Sequence, residues 1–325
     1  MSDTIFIVGG NGYIGSHTNL LLLDKGYKTV VLDKQQPEYL VNLPGWIWEE
    51  ADLQNLASLE SVFLKYNPKA VIHFAASIEV AESQINPQKY YFNNVVGTLN
   101  LLKVMNDFGV RNLVFSSTAA VYGLPKHIPI NENDQTKPIN TYGKTKLVVE
   151  NILEDYYHSY GLKSVILRYF NACGADHLGR SGECHEPESH LIPILLEVAS
   201  GKRPEFGIYG DDYETLDGTC IRDYIHVEDL ATAHLAALEG LLDEKLSFEK
   251  INLGTGSGFS VKEIVEKAKQ ITKKNIAIKI SERRAGDPDK LIASNQKAKE
   301  LLEWKPQKSD LDTIILSAWN WLNRK

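Results

Sequence analysis

Tyr142 and Lys146 stand four residues apart in the stretch Tyr142-Gly143-Lys144-Thr145-Lys146, a spacing that stacks two side chains on one helix face. A free tyrosine ionises at about pH 10, too high for a base in neutral solution, and a neighbouring ammonium stabilises its phenolate. The pair therefore offers a proton acceptor with a supporting cation. An ordinary solvated helix also contains such pairs, so the rest of the chain must supply a site around them.

The elements that position the pair are legible on both sides of it. Pro138 and Asn140-Thr141 form the lead-in and N-cap of a helix that carries both residues and runs to Tyr160, where Gly161 stops it. Upstream, Leu113-Val114-Phe115 is a buried strand that leads into Ser116-Ser117-Thr118, and hydroxyls at a strand's C-terminal end lie where open parallel sheets bind ligands. Downstream, Val165–Tyr169 is the next strand, ending at Phe170-Asn171. A helix from about Tyr90 to Phe108 carries Asn94, with Val95, Leu99, Leu102 and Met105 as its apolar stripe.

The N-terminal stretch supplies a second chemistry. The short strand Thr4–Val8 runs into Gly9-Gly10-Asn11-Gly12-Tyr13-Ile14-Gly15 and then the apolar helix segment Leu20–Leu23. Glycines three apart between a strand and a helix allow a tight turn, close approach of backbone to a pyrophosphate, and close helix–strand packing. The strand Lys28–Leu32 ends at Asp33, whose carboxylate accepts from both ribose hydroxyls and repels a 2′-phosphate. The expected cofactor is NAD rather than NADP, although Lys34 next to it is a cation that tolerates a phosphate. Further strands end at Asp52-Leu53 and run Ala70–Phe74 into Ala75-Ala76, whose small side chains leave room for a flat ligand; His73 is read as a packed strand residue.

Composition excludes other classes. The 325 residues carry a net charge of −7, against a nucleic-acid or anionic-membrane partner. Three cysteines, Cys173, Cys184 and Cys220, show no Cys-x-x-Cys, and no secretory signal or transmembrane run is visible. A reduced, cytoplasmic setting is expected. In the loop 172–190, His177, Cys184, His185 and His190 match no zinc-ligand spacing, and the segment reads as a solvated functional loop with no metal. Leu253-Gly254-Thr255-Gly256-Ser257-Gly258 looks like a second glycine loop but is read as a turn into the helix Val261–Ile271, without phosphate. The final helix, Leu311–Leu322, carries Trp319 and Trp321 for packing.

Together these motifs resemble the extended short-chain dehydrogenase/reductase family and, within it, the UDP-glucose 4-epimerases. The phrases that carry the resemblance are Gly12-Tyr13-Ile14-Gly15-Ser16-His17, Val121-Tyr122-Gly123, Thr141-Tyr142-Gly143-Lys144, Arg168-Tyr169-Phe170-Asn171, Arg222–Val227 and Arg283-Arg284-Ala285-Gly286-Asp287, from about Ile5 to Trp321. The resemblance implies an α/β protein: a Rossmann-type doubly wound parallel sheet in residues 1–171, to which 225–242 returns. A smaller mixed α/β substrate lobe, interleaved with it, occupies 172–325.

The implied activity is reversible 4-epimerisation of UDP-glucose and UDP-galactose by transient oxidation with tightly bound NAD. Tyr142, Lys146 and Thr118 take the catalytic positions. Cofactor positions are Gly9, Gly12, Tyr13, Ile14, Gly15, Asp33, Asp52, Leu53, Phe74, Ala75, Ala76, Asn94, Ser116, Tyr142, Lys146, Tyr169 and Phe170. Substrate positions are Thr118, Asn171, His190, Leu191, Tyr209, Arg222, Arg284, Asp287 and Leu291. Three residues depart from the pattern of many relatives: Ile78 replaces a Lys, His190 an Asn, and Leu291 a Tyr that narrows the space at the sugar's 2-position.

Other readings are a 4-epimerase of another UDP sugar (N-acetylated, pentose or glucuronate), a nucleotide-sugar 4,6-dehydratase, and a non-catalytic NAD sensor. The dehydratase needs acidic residues where this chain has Ala119 and Ala120, and the sensor has no need of Tyr142, Lys146 and Thr118. The resemblance also implies a homodimer through the helices around Tyr90–Phe108 and Thr141–Tyr160.

Overall fold

The apolar runs pair side by side. In the computed structural model, which describes residues 3–36, 40, 43–185, 187–284 and 286–324, seven parallel strands form one sheet. Their spatial order is Trp48–Glu50, Lys28–Asp33, Thr4–Val8, Ala70–His73, Asn112–Thr118, Lys163–Tyr169 and Phe248–Leu253. Strand order reverses between Thr4–Val8 and Ala70–His73, which opens a crevice at the C-terminal strand ends. Successive side chains of a strand face opposite layers. Ile5 and Ile7 accordingly pack with Leu20, Leu22, Leu230 and Leu238 of the helices Tyr13–Asp24 and Val227–Leu242. Phe6 and Val8 pack on the other side with Leu59, Phe63, Leu101, Met105, Val149 and Leu153. This is the expected doubly wound α/β architecture.

Val227–Leu242 returns to the sheet, packing Leu230 and Leu238 against Ile5 and Ile7. Phe248–Leu253, which the sequence places in the substrate lobe, joins the sheet as well, pairing in parallel with Lys163–Tyr169. Only the pairing partner decides that a short apolar run belongs to one sheet rather than another. The lobe itself has a third core around Cys173, Leu195, Ile208, Tyr224, Ile264 and Ile314. Small sheets brace it: Asn171–Cys173 on Tyr224–His226, Phe206–Tyr209 on Ile278–Ser281, and Ile221–Arg222 between Phe259–Ser260 and Lys290–Leu291.

Three elements differ from the sequence reading in ways that bear on the site. The strand expected over Leu113–Phe115 spans Asn112–Thr118, so Ser116, Ser117 and Thr118 lie within it. The expected helix Tyr90–Phe108 is Pro87–Tyr90, a π-turn over Tyr91–Val96, and Gly97–Asp107. Of the expected stripe, Leu102 and Met105 are buried, joined by Leu101 and Val104, and Leu99 is exposed. The strand expected to end at Asp52-Leu53 stops at Glu50. The helix that carries Tyr142 and Lys146 spans Thr141–Tyr160, with the Asn140 side chain accepting from Gly143 N and Gly161 in the left-handed region at its end. Among the described residues, no helix is long and apolar enough to cross a membrane.

Candidate active site

The glycine loop is shaped by contact, not by loose flexibility. Gly9 has φ +79°, and a Cβ on it would lie 2.4 Å from Ala75 N; a Cβ on Gly15 would lie 2.4 Å from Gly9 O. These close approaches seat the helix start on the strand ends Val8 and His73. Gly12 is the N-cap of the helix Tyr13–Asp24, and no side chain caps it. Its first N–H groups and the helix dipole therefore face the crevice as an anion cradle. Asp33 lies beside the loop and accepts from Asn11 N at 3.2 Å. Burial raises its carboxyl, opposed by the backbone N–H groups of Asn11 and Gln35. Of the remaining expected cofactor residues, Phe74, Ala75 and Ala76 follow the strand Ala70–His73, with Phe74 N and Ala75 N both donating to Val8 O. Asp52 is exposed past its strand, and Leu53 is buried and packs under Gly97.

Tyr142, Lys146 and Thr118 come together at the C-terminal end of Asn112–Thr118. Lys146 is 2% exposed, and its Nζ donates to Ser116 O at 2.7 Å. Burial lowers its ammonium to about 7, opposed by the Glu150 carboxylate one turn on. The Tyr142 phenol is pushed up to about 12 by burial, and its hydrogen bond with Thr118 opposes the rise. The protein's own groups leave the phenol neutral, because Lys146 is engaged with a strand carbonyl and itself holds its proton weakly. Ser116 Oγ also hydrogen-bonds the buried Tyr169 hydroxyl. Asn94, expected at the cofactor, is fully engaged within the protein. Its amide nitrogen donates to Ser77 O at 3.0 Å and Thr145 Oγ1 at 3.1 Å, and its oxygen accepts from Ser77 N at 2.8 Å. It ties the strand-end loop to the Tyr142 helix.

Beneath the pair lies a buried polar network that sequence reading missed. Arg168 holds Glu150 bidentately, Nε to Oε1 at 3.0 Å and Nη2 to Oε2 at 2.5 Å, and Ser117 Oγ donates to Glu150 at 2.6 Å. Arg168 also donates to Tyr122 Oη at 2.9 Å, whose hydroxyl donates to Asn252 Oδ1 at 2.7 Å. The network joins the catalytic helix to three strands and the turn after Thr118. The one available signal was a Glu four residues after Lys146 on the same face.

The substrate lobe gathers the expected arginines near one another. Arg222 donates to Ile221 O and Pro288 O, both at 2.9 Å, with Asp287 at 3.6 Å. The Arg284 guanidinium stacks 4.0 Å over the Tyr209 ring. Ala285, from the same family phrase, lies outside the described residues. Leu291 packs with Phe170, Tyr122, Val121 and Ile130. Asn171 opens the strand beside Tyr224, and His190 is the N-cap of the helix Leu191–Ala199.

The Gly254–Gly258 turn wraps a carboxylate: Asp223 accepts from Thr255 N, Gly256 N and Ala293 N at 2.8, 3.3 and 3.2 Å. An anion already occupies those donors, which agrees with the turn having no phosphate. The loop over the crevice is pinned to the first helix by Tyr13 Oη on Gly174 O at 2.7 Å and by Ser16 and His17 on Ser181. Of the loop residues weighed as metal ligands, His185 and His190 converge with Glu183 and Glu188, two acids that sequence reading overlooked. His177 instead sits with Glu228 at 2.6 Å, and Cys184 is exposed.

With this geometry in hand, comparison with known proteins is specific. The family profile described as GDP-mannose 4,6 dehydratase matches residues 6–315. A protein of Halalkalibacterium halodurans named UDP-glucose 4-epimerase is 50% identical over 98% of this chain and 95% of its own. The crystal structure of UDP-glucose 4-epimerase from Brucella ovis in complex with NAD superposes with a TM-score of 0.94 at 47% identity, covering 98% of both chains. That of the Bifidobacterium longum UDP-glucose 4-epimerase with NAD+ and UDP gives 0.91 at 39%, covering 98% of this chain and 97% of that one.

The buried network generates a prediction about stability. Glu150→Ala leaves the Arg168 guanidinium without its carboxylate in a site closed to water, which costs about 3–5 kcal/mol. Urea denaturation should show a clearly lower midpoint for the variant; an unchanged midpoint would show that the pair does not hold helix to sheet.

Proposed function

The chain belongs to the UDP-glucose 4-epimerase family, and from that premise we propose which of its residues carry the reaction. The enzyme is an NAD-dependent isomerase that interconverts UDP-glucose and UDP-galactose by oxidising carbon 4 and undoing the oxidation within one turnover. NAD, when bound, would supply a hydride acceptor and donor for carbon 4. The uncapped helix start at Gly12, with Gly9, Tyr13, Ile14 and Gly15, would hold its diphosphate, and Asp33 its adenosine ribose. Asp52, Leu53, Phe74, Ala75, Ala76, Ser116, Tyr169 and Phe170 complete its surroundings, and Asn94 acts as a positioning residue behind them.

Tyr142 takes the proton of the sugar's 4-hydroxyl as phenolate and gives it back. With its phenol held at about 12 by burial, it ionises only when positive charge shares the pocket, and the cofactor's pyridinium and Lys146 are those charges. Thr118 bridges the phenol and the sugar oxygen. The keto sugar must turn over while the nucleotide stays anchored, so Arg222 and Arg284 grip the diphosphate away from the chemistry. Asn171, His190, Leu191, Tyr209, Asp287 and Leu291 line the rest of that path. What carries this reading is the convergence of Tyr142, Lys146 and Thr118 at one strand end beside the glycine loop. The dehydratase alternative fails on Ala119 and Ala120, two methyl side chains in the turn after Thr118 that cannot move protons.

We further propose a homodimer. Tyr91, Phe92, Val96 and Leu99 are 42, 49, 37 and 36% exposed along one helical face, an apolar band that a second copy would cover. The free cysteines Cys173, Cys184 and Cys220 suit a reducing cytoplasm.

Three measurements test these proposals. Tyr142→Phe should retain NAD and lose turnover of UDP-galactose by about 10²–10⁴-fold; undiminished turnover sinks the assignment. UDP-N-acetylglucosamine should be turned over weakly to moderately, because Leu291 is smaller than the Tyr of some relatives; no product above background ends that idea. Sedimentation at micromolar concentration should give a dimer, and a monomer there counts against the apolar band as an interface.

A further inference from the structure

The loop between the strand Asn171–Cys173 and the helix Leu191–Ala199 brings four ligating side chains to one point. Side-chain donor atoms of Glu183, His185, Glu188 and His190 all lie within 4.8 Å of one another. His190 Nδ1 is 2.7 Å from Glu183 Oε1 and 3.2 Å from Glu188 Oε1. His185 Nδ1 is 3.3 Å from Glu183 Oε1 and 4.0 Å from Glu188 Oε2. A tetrahedral ion with bonds of about 2.0–2.1 Å places its ligand atoms about 3.3–3.4 Å apart, and the four separations bracket that value.

Three further observations favour an ion over a plain hydrogen-bonded cluster. His185 Nδ1 is sealed from solvent yet completes no hydrogen bond, although a carboxylate faces it at 3.3 Å. Two atoms that face each other without a shared proton are arranged as co-ligands. Second, both glutamate side chains are only 6% exposed. Among the described residues the only cationic groups within 4 Å of their carboxylates are the two imidazoles. Two nearly enclosed carboxylates with no Lys or Arg within reach concentrate negative charge, and a divalent ion with neutral imidazoles brings the cluster to neutrality.

The contrast is the neighbouring group Asp176, His177 and Glu228, where Arg180 pairs with Asp176 at 2.8 Å and Lys308 with Glu228 at 2.9 Å; its charge is already balanced. Third, the loop is pinned from behind as a ligand-bearing loop requires. Trp321 Nε1 donates to Glu183 O at 2.9 Å, and Arg203 donates to Glu188 O at 3.2 Å.

We propose that Glu183, His185, Glu188 and His190 form a structural site for one divalent transition-metal ion, with zinc the best match. Two imidazole nitrogens and two carboxylate oxygens are borderline donors that suit zinc, which accepts a tetrahedral N/O set without ligand-field cost. Both rings would ligate through Nδ1, leaving each Nε2–H free to donate. The site is structural and shares His190 with the substrate path proposed above. Its effect is to lock the loop between the strand Asn171–Cys173 and the helix Leu191–Ala199.

The test uses the full-length, tag-free protein with NAD bound. After EDTA treatment, loading with zinc chloride and desalting, elemental analysis should give roughly one zinc per chain, and cobalt(II) should give the intense visible bands of tetrahedral coordination. His185→Asn and Glu188→Gln, checked for folding by retained NAD and circular dichroism, should each weaken zinc binding by at least roughly 10–100-fold in a chelator competition. Wild-type protein that leaves the desalting column without zinc overturns the proposal with no variant needed. Zinc retained equally by both folded variants overturns it as well, by placing the ion elsewhere.

Discussion

A lysine ammonium almost wholly removed from water is the constraint that the rest of the site answers to. Lys146 is 2% exposed and rests on the Ser116 carbonyl. A buried charge is costly unless it is paired and hydrogen-bonded, so the surroundings decide whether it keeps its proton. Glu150, one helical turn away, pulls toward the charged form, while burial holds the amine at about 7. Glu150 in turn cannot remain a buried carboxylate alone. Arg168 and Ser117 satisfy it, and Arg168 reaches through Tyr122 to Asn252 on the outermost strand of the sheet. Each partner of the lysine thus commits another strand, until the orientation of the helix is determined by the sheet.

The same logic separates chemistry from anchoring. Tyr142 and Thr118 sit at the strand end, where the proposed proton transfer takes place. Arg222 lies on a small strand of the lobe next to Asp223 and its wrapped turn, and Arg284 in the segment after Ile278–Ser281. A sugar ring that must present both faces to one cofactor needs a fixed nucleotide and a free ring. The division of the chain between a rigid parallel sheet and a smaller lobe supplies both. The glycine loop joins the two parts through Tyr13, Ser16 and His17, which hold the loop above the crevice.

Much of this was legible in the residues. The glycines three apart, Asp33 at the next strand end, and the Asn140-capped helix with Tyr142 and Lys146 were readable because local backbone rules fix each of them within a few residues. The π-turn at Tyr91–Val96 was not readable, since one extra residue in a turn leaves composition and periodicity nearly unchanged. Asn94 looked like a ligand residue and proves to be bonded to Ser77 and Thr145. Glu183 and Glu188 passed as solvated loop acids because loop periodicity carries no information about which side chains meet.

The sequence by itself determined most element types, the βα order and the glycine turn, because short-range backbone and side-chain preferences dictate these. Only the tertiary structure decided that Phe248–Leu253 completes the sheet, that Glu150 meets Arg168, and that the four loop residues share one point. It also decided the state of the central pair. Whether Lys146 lowers the Tyr142 phenol depends on burial and on which carbonyl the ammonium reaches, and desolvation is a property of the packed molecule, not of any segment of its chain.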